Sequence, residues 1–107
     1  MLKRKKDEDM KTVKLFHLYG CPYCEQAFRA LDELKKENDA YGRIPVEMYE
    51  EYKDAEIVAQ HDYYYAPTMY IGNDKIYEAH PGESYKECKA QVKKVLDLAM
   101  QERTAKT

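Results

Sequence analysis

Two cysteines three positions apart, in the run Cys21-Pro22-Tyr23-Cys24, are the residues best placed for chemistry in this 107-residue chain. A cysteine thiolate attacks disulfide sulfur, and a second thiol one helical turn away can then displace the product, so the pair suits thiol-disulfide exchange. The same spacing is half of a zinc site, which needs two further ligands. The remaining supply is Cys88, His17, His61 and His80, with no second C-x-x-C and no H-x3-5-H pair. An inert disulfide across two intervening residues would restrain almost nothing in the unfolded chain. No metal is therefore expected, and exchange is the predicted reaction.

The surrounding elements sharpen this chemistry. Thr12 to Tyr19 (TVKLFHLY) is rich in β-branched and aromatic residues and ends at Gly20, which predicts a strand and a sharp turn. From Cys21 to Asn38, Cys24, Ala27, Phe28, Leu31 and Leu34 recur at spacings of three and four, predicting an amphipathic helix. Cys21 then falls at the N-cap, with Pro22 at the first helical position, where its missing N–H costs nothing. An N-cap side chain accepts from amides at the second and third helical positions, here Tyr23 and Cys24. The helix dipole adds positive potential, and thiols at such termini titrate at roughly 3.5 to 7.5 instead of about 8.5. Cys21 is the expected nucleophile. Cys24, on the apolar stripe, is the expected resolving thiol.

Further along, Ile44 to Tyr49 reads as a second strand, with Pro45 at its start. Asp54 is expected to cap a short helix carrying Ile57 and Val58. Thr68 to Ile71, Gly72-Asn73-Asp74 and Lys75 to Glu78 read as a β-hairpin. Ser84, followed three residues later by Glu87, matches a capping box, and Cys88, Val92, Val95, Leu96 and Ala99 continue as a helical stripe to about Met100. The order β-α-β-α-β-β-α predicts an α/β fold, a four-stranded mixed sheet flanked by helices. Residues 1–11, with four basic residues at 3–6 and acidic ones at 7–9, are expected to be a flexible charged arm before one domain over 12–107.

Composition narrows the partners. Eighteen Lys plus Arg against 20 Asp plus Glu give a net charge of -2, which offers no basic excess for nucleic acid. No apolar run suggests a membrane span or a signal segment, and three cysteines suit a reducing cytoplasm. A monomer with no tightly bound cofactor is expected.

The CPYC run after a Gly-ended strand, with a proline opening a later β-hairpin and then a final helix, resembles the glutaredoxin branch of the thioredoxin-like superfamily over roughly Thr12 to Met100. Thioredoxin proper fits less well, because its motif carries Trp before the first cysteine and Gly-Pro between the pair, and this chain has no Trp. The resemblance implies a thioredoxin-like fold and a thiol-disulfide oxidoreductase acting on disulfide-containing proteins or glutathionylated substrates, with glutathione as reductant. It further implies that Ala66-Pro67 is a cis dipeptide facing the active site; without it, an ordinary trans proline would be expected. Substrate contacts are expected from Tyr19, Pro22, Tyr23, Ala66, Pro67, Gly82 and Ser84. Tyr23 should be exposed.

Departures from the pattern bear on the reductant. Leu18 stands three residues before Cys21, where glutaredoxins usually carry Lys or Arg; the neighbouring His17 should point to the opposite face of its strand. Tyr65-Ala66 replaces Thr-Val, and His80-Pro81-Gly82-Glu83-Ser84 replaces a Gly-Gly turn. The amides of Ser84 and Tyr85 could hold a carboxylate, whereas Glu83 would repel one. These features motivate a second reading, reduction by a thioredoxin-reductase-type flavoprotein. A third is an iron–sulfur or metal carrier in which Cys21 holds a cluster. Of the other residues, Tyr63, Tyr64 and Tyr65 are read as a groove rim or as alternating packed and surface residues. Cys88 is read as a core residue, Glu47, Glu50, Glu51, Asp54 and Glu56 as solvated surface, and His61 and His80 as surface or loop histidines.

Overall fold

The structure, a computed structural model, describes residues 10–100. The elements run β1 (Val13–His17), α1 (Pro22–Glu37), a 3-10 turn (Asp39–Arg43), β2 (Val46–Glu50), α2 (Ala55–Ala59), β3 (Thr68–Ile71), β4 (Asp74–Glu78) and α3 (Tyr85–Met100). The sheet order is β2-β1-β3-β4, with β1 parallel to β2 and β3 antiparallel to both β1 and β4. This is the predicted mixed sheet with flanking helices. Pro45 lies just before β2, and its carbonyl accepts from the Val13 N–H at 2.9 Å. Asp74 belongs to β4 rather than to the turn, because Ile71 and Asp74 pair directly and leave a two-residue loop. Gly72 takes φ +62° at its first position, a conformation disfavoured for a residue with a Cβ.

The strand alternation divides the core in two. Val13, Leu15, Met69 and Tyr77 pack with Ala27, Leu31 and Leu34 of α1 and with Cys88, Val92, Val95, Leu96 and Ala99 of α3. Every one of the five stripe positions expected on α3 is buried. On the opposite side, Phe16 meets the rings of Tyr49, His61, Tyr63 and Tyr70 at centroid distances of 4.7 to 5.9 Å. Polar ties then join the two long helices: Tyr85 Oη donates to Glu33 at 2.6 Å, and Lys89 Nζ reaches Glu33 and Glu37 at 3.2 and 2.7 Å.

The helix ends follow the sequence logic with one exception. Asn38 closes α1 through its N–H to Leu34 O and opens the 3-10 turn through its side chain to the Ala40 N–H. The capping box of α3 is reciprocal, Glu87 N–H to Ser84 Oγ at 3.1 Å and Ser84 N–H to Glu87 Oε1 at 2.9 Å. Asp54 precedes α2 but makes no side-chain cap; its carboxylate instead accepts from the Glu50 N–H at 2.9 Å. Residues 1–9 of the expected arm lie outside the described residues. Lys11 N–H donates to Ala99 O at 2.9 Å, and Met10 packs against the core.

Candidate active site

The end of β1 delivers the chain to Gly20, whose φ of +78° makes the turn that sets Cys21 at the head of α1. Cys21 is the N-cap, with φ -87° and ψ 117°, and Pro22 occupies the first helical turn. The Cys21 Sγ accepts from the Cys24 N–H at 3.3 Å. Of the two amides expected to face this sulfur, the Cys24 N–H donates to it. Cys21 is partly exposed and Cys24 fully buried, both as free thiols. The Leu18 N–H donates to Cys24 Sγ at 3.4 Å. Leu18 therefore serves the site through its backbone.

Burial first, then the neighbouring Cys21 and the Glu51 charge, push the Cys24 thiol up to about 12, with the Leu18 amide pulling back. Cys24 holds its proton at neutral pH, which leaves the accessible Cys21 as the sulfur an incoming group meets. Behind Cys24, Tyr63 Oη donates to Glu51 at 2.8 Å, and burial followed by that carboxylate raises the Tyr63 pKa.

The Ala66-Pro67 bond is cis. Ala66 O lies 3.8 Å from Cys21 Sγ, across 45 residues of sequence. The loop before it is held by Glu78, whose Oε2 accepts from the N–H groups of Tyr64 and Tyr65 at 2.6 and 2.8 Å, while Oε1 accepts from Lys75 at 2.7 Å. Burial works to raise the Glu78 pKa, but Lys75 and the two amides outweigh it and leave it below the ordinary carboxylate value. Sequence reading missed Glu78. Counting from the two-residue hairpin loop alone would put Tyr77 opposite Thr68; the register shift between Met69 and Tyr70 brings Glu78 there instead, next to the proline.

The remaining expected contacts divide. Tyr19 and Pro22 are exposed beside Cys21. Tyr23 is not exposed as expected: its ring packs partly against the core and its hydroxyl accepts from the Gly82 N–H at 2.8 Å, because the turn before α3 closes over it. The Ser84 N–H is occupied by Glu87, and Glu83 turns inward to accept from Tyr77 Oη at 2.7 Å. Glu83 thus does not project a charge at the surface. Cys88 sits in the core 3.5 Å from the Tyr77 hydroxyl.

Of the acidic run, Glu50 is buried with its carboxylate on the amides of Tyr52 and Lys53, and Glu51 is half-buried, so the expectation of a wholly solvated surface fails there. His61 lies in the loop after α2, as expected, and is half-buried. Its Nδ1 lies 2.8 Å from Ile57 O and therefore carries the proton, so Nε2 accepts from Lys14 at 2.8 Å. His80 remains exposed, 4.0 Å from Glu87. Tyr63 packs inward while Tyr64 and Tyr65 face outward.

This architecture is the thioredoxin-like fold. Similar structures include thioredoxin 1 from Thermosipho africanus (TM-score 0.53, 17% identity, covering 84% of this chain and 99% of that one). A malarial protein matches at TM-score 0.52 and 21% identity over 78% and 93% of the two chains. The first two thioredoxin domains of Saccharomyces cerevisiae Eps1p match at 0.53 and 16% over 88% and 39%. In sequence, the glutathione S-transferase N-terminal domain family matches residues 15–81, more than half of the chain, and the chain belongs to that family. No curated relative matches. Among the described residues, no helix is long and apolar enough to cross a membrane.

Proposed function

We propose that the protein is a thiol-disulfide oxidoreductase of glutaredoxin type, with Cys21 as nucleophile and Cys24 as resolving thiol. The observation that carries this reading is the N-cap placement of Cys21, its sulfur on the Cys24 N–H and beside the Ala66 carbonyl. Membership of a family named for glutathione chemistry supports it.

In the reaction, the Cys21 thiolate attacks one sulfur of a substrate disulfide, forming a mixed disulfide while the other half leaves as a thiolate and takes a proton from solvent. Cys24 then gives up its proton and attacks Cys21 Sγ. The Cys21–Cys24 disulfide forms, and the substrate departs as a reduced thiol. Two electrons from an external thiol or dithiol restore the pair. Because burial keeps Cys24 protonated, it does not compete with Cys21 for substrate.

Glutathione is one reductant for the last step; a thioredoxin-reductase-type flavoprotein is the second reading. The second is favoured by the Gly82 and Ser84 amides being occupied internally and by uncharged Leu18. The test is turnover of a glutathione mixed disulfide coupled to glutathione, glutathione reductase and NADPH, run beside reduction of a protein disulfide with a small dithiol as electron source. The wild type should reduce the protein disulfide, Cys21→Ser should be inactive, and Cys24→Ser should accumulate a covalent mixed disulfide visible by mass. Full dithiol turnover by Cys21→Ser would overturn the proposal.

A further inference from the structure

We propose that the partner received at the Cys21 face is a cationic, cysteine-bearing protein segment in preference to anionic glutathione; this inference rests on the thiol-disulfide reading above. Three segments build that face, residues 18–25 (LYGCPYCE), 62–67 (DYYYAP) and 79–84 (AHPGES), and none contains Lys or Arg. Glutathione carries two carboxylates and one ammonium, so it needs donors or cations here.

The donors are already engaged. The Gly82 N–H serves Tyr23 Oη, the Ser84 N–H serves Glu87, and the Tyr64 and Tyr65 N–H groups serve Glu78. In three of these four cases the acceptor is a carboxylate, that of Glu87 or of Glu78, and Glu78 is itself paired with Lys75 at 2.7 Å, so the rim has lost donor capacity without gaining a free cation. Glu25 on the first turn of α1 and Asp62 before the tyrosine run add two exposed acidic side chains.

Around these charges stand exposed aromatic rings: Tyr19 is 74% exposed, with its edge contact to His17 on one side, Tyr64 89% and Tyr65 51%. Tyrosine faces beside carboxylates attract Lys and especially Arg side chains, which lie flat on a ring while donating to an acid. The Cys21 face thus complements a basic segment in both charge and shape of contact.

The test uses three otherwise identical cysteine peptides, each supplied as a disulfide-linked homodimer, with the cysteine flanked by Arg/Lys, by Gln or by Glu. Attack by Cys21 forms the Cys21–peptide disulfide and releases one peptide thiol. Cys24 then releases the second, and a small dithiol in the assay supplies the two electrons that reduce the protein. At low salt, kcat/KM for the cationic peptide should exceed that for the anionic one by about tenfold or more, and the ratio should shrink as salt screens the charges. The substitution E25K should reduce the ratio several-fold, and the double substitution Glu25→Gln with Asp62→Asn should act in the same direction. Equal rates for the three peptides, or a preference for the anionic one, would overturn the charge inference while leaving exchange chemistry intact. No turnover of any peptide would overturn the exchange reading, and this inference with it.

Discussion

Cys21 and Cys24 lie one helical turn apart yet occupy different environments. Cys21 caps the helix at the surface, whereas Cys24 is inside the core with a thiol pushed up to about 12 by burial. In the proposed exchange reaction that asymmetry gives attack to one sulfur and resolution to the other, so trapping of substrate should be specific to Cys24→Ser. A second residue-scale device lies just before α3, where Tyr77 of β4 donates to the buried carboxylate of Glu83. Tyr77→Phe keeps the ring and leaves that carboxylate without its donor. It should cost about 1.5 to 3 kcal/mol in urea unfolding. The C-x-x-C pair was legible from spacing alone, because position in a helix follows from local sequence. The roles of Glu78, Glu51 and Tyr63 were not, because each partner lies many residues away in the chain.

At the scale of elements, the two long helices are specified by stripes at spacings of three and four, and their starts by caps that the sequence displays. The capping box of α3 is also where the 79–84 loop gives up a donor, since Glu87 both caps the helix and fills the Ser84 amide. Ser84→Ala removes the acceptor for the Glu87 N–H and should cost about 1 kcal/mol, read as a lowered unfolding midpoint with an unchanged denaturant slope. Asp54 shows the limit of such signals. A capping residue type in the right place bonded elsewhere, because the Glu50 N–H at the end of β2 came within reach of its carboxylate.

At the scale of the whole molecule, burial acts on several acids together. Cys24, Cys88, Tyr41, Tyr63 and Tyr77 all have pKa values raised first by burial, with carboxylates adding to the effect at Cys24, Cys88 and the three tyrosines. Each is neutral when folded. The unfolded chain releases these protons near their ordinary values, 9.0 for cysteine, while the folded chain retains them. Their contribution to stability is therefore fully present below about pH 9 and is lost as pH rises toward the raised folded values, about 12 for Cys24. Denaturation midpoints should hold steady between pH 7 and 8 and fall progressively above pH 9. A midpoint that does not move between pH 8 and 11 would contradict this account.

The C-x-x-C pair, its place at a helix N-terminus, the order of elements and the core stripes were all legible in the chain, because they are periodic or local properties of it. The mixed sheet and its crossover followed from element order. Only the tertiary structure decided what surrounds the pair. It set Ala66 O 3.8 Å from Cys21 Sγ, turned Tyr23 inward onto Gly82, buried Glu83 and Glu50, and locked His61 between Lys14 and Ile57. These placements depend on strand register and on how loops close over the sheet. Hydrogen bonds between residues dozens of positions apart leave no pattern in a single sequence, so the thiols could be read in advance and the identity of the groups facing them could not.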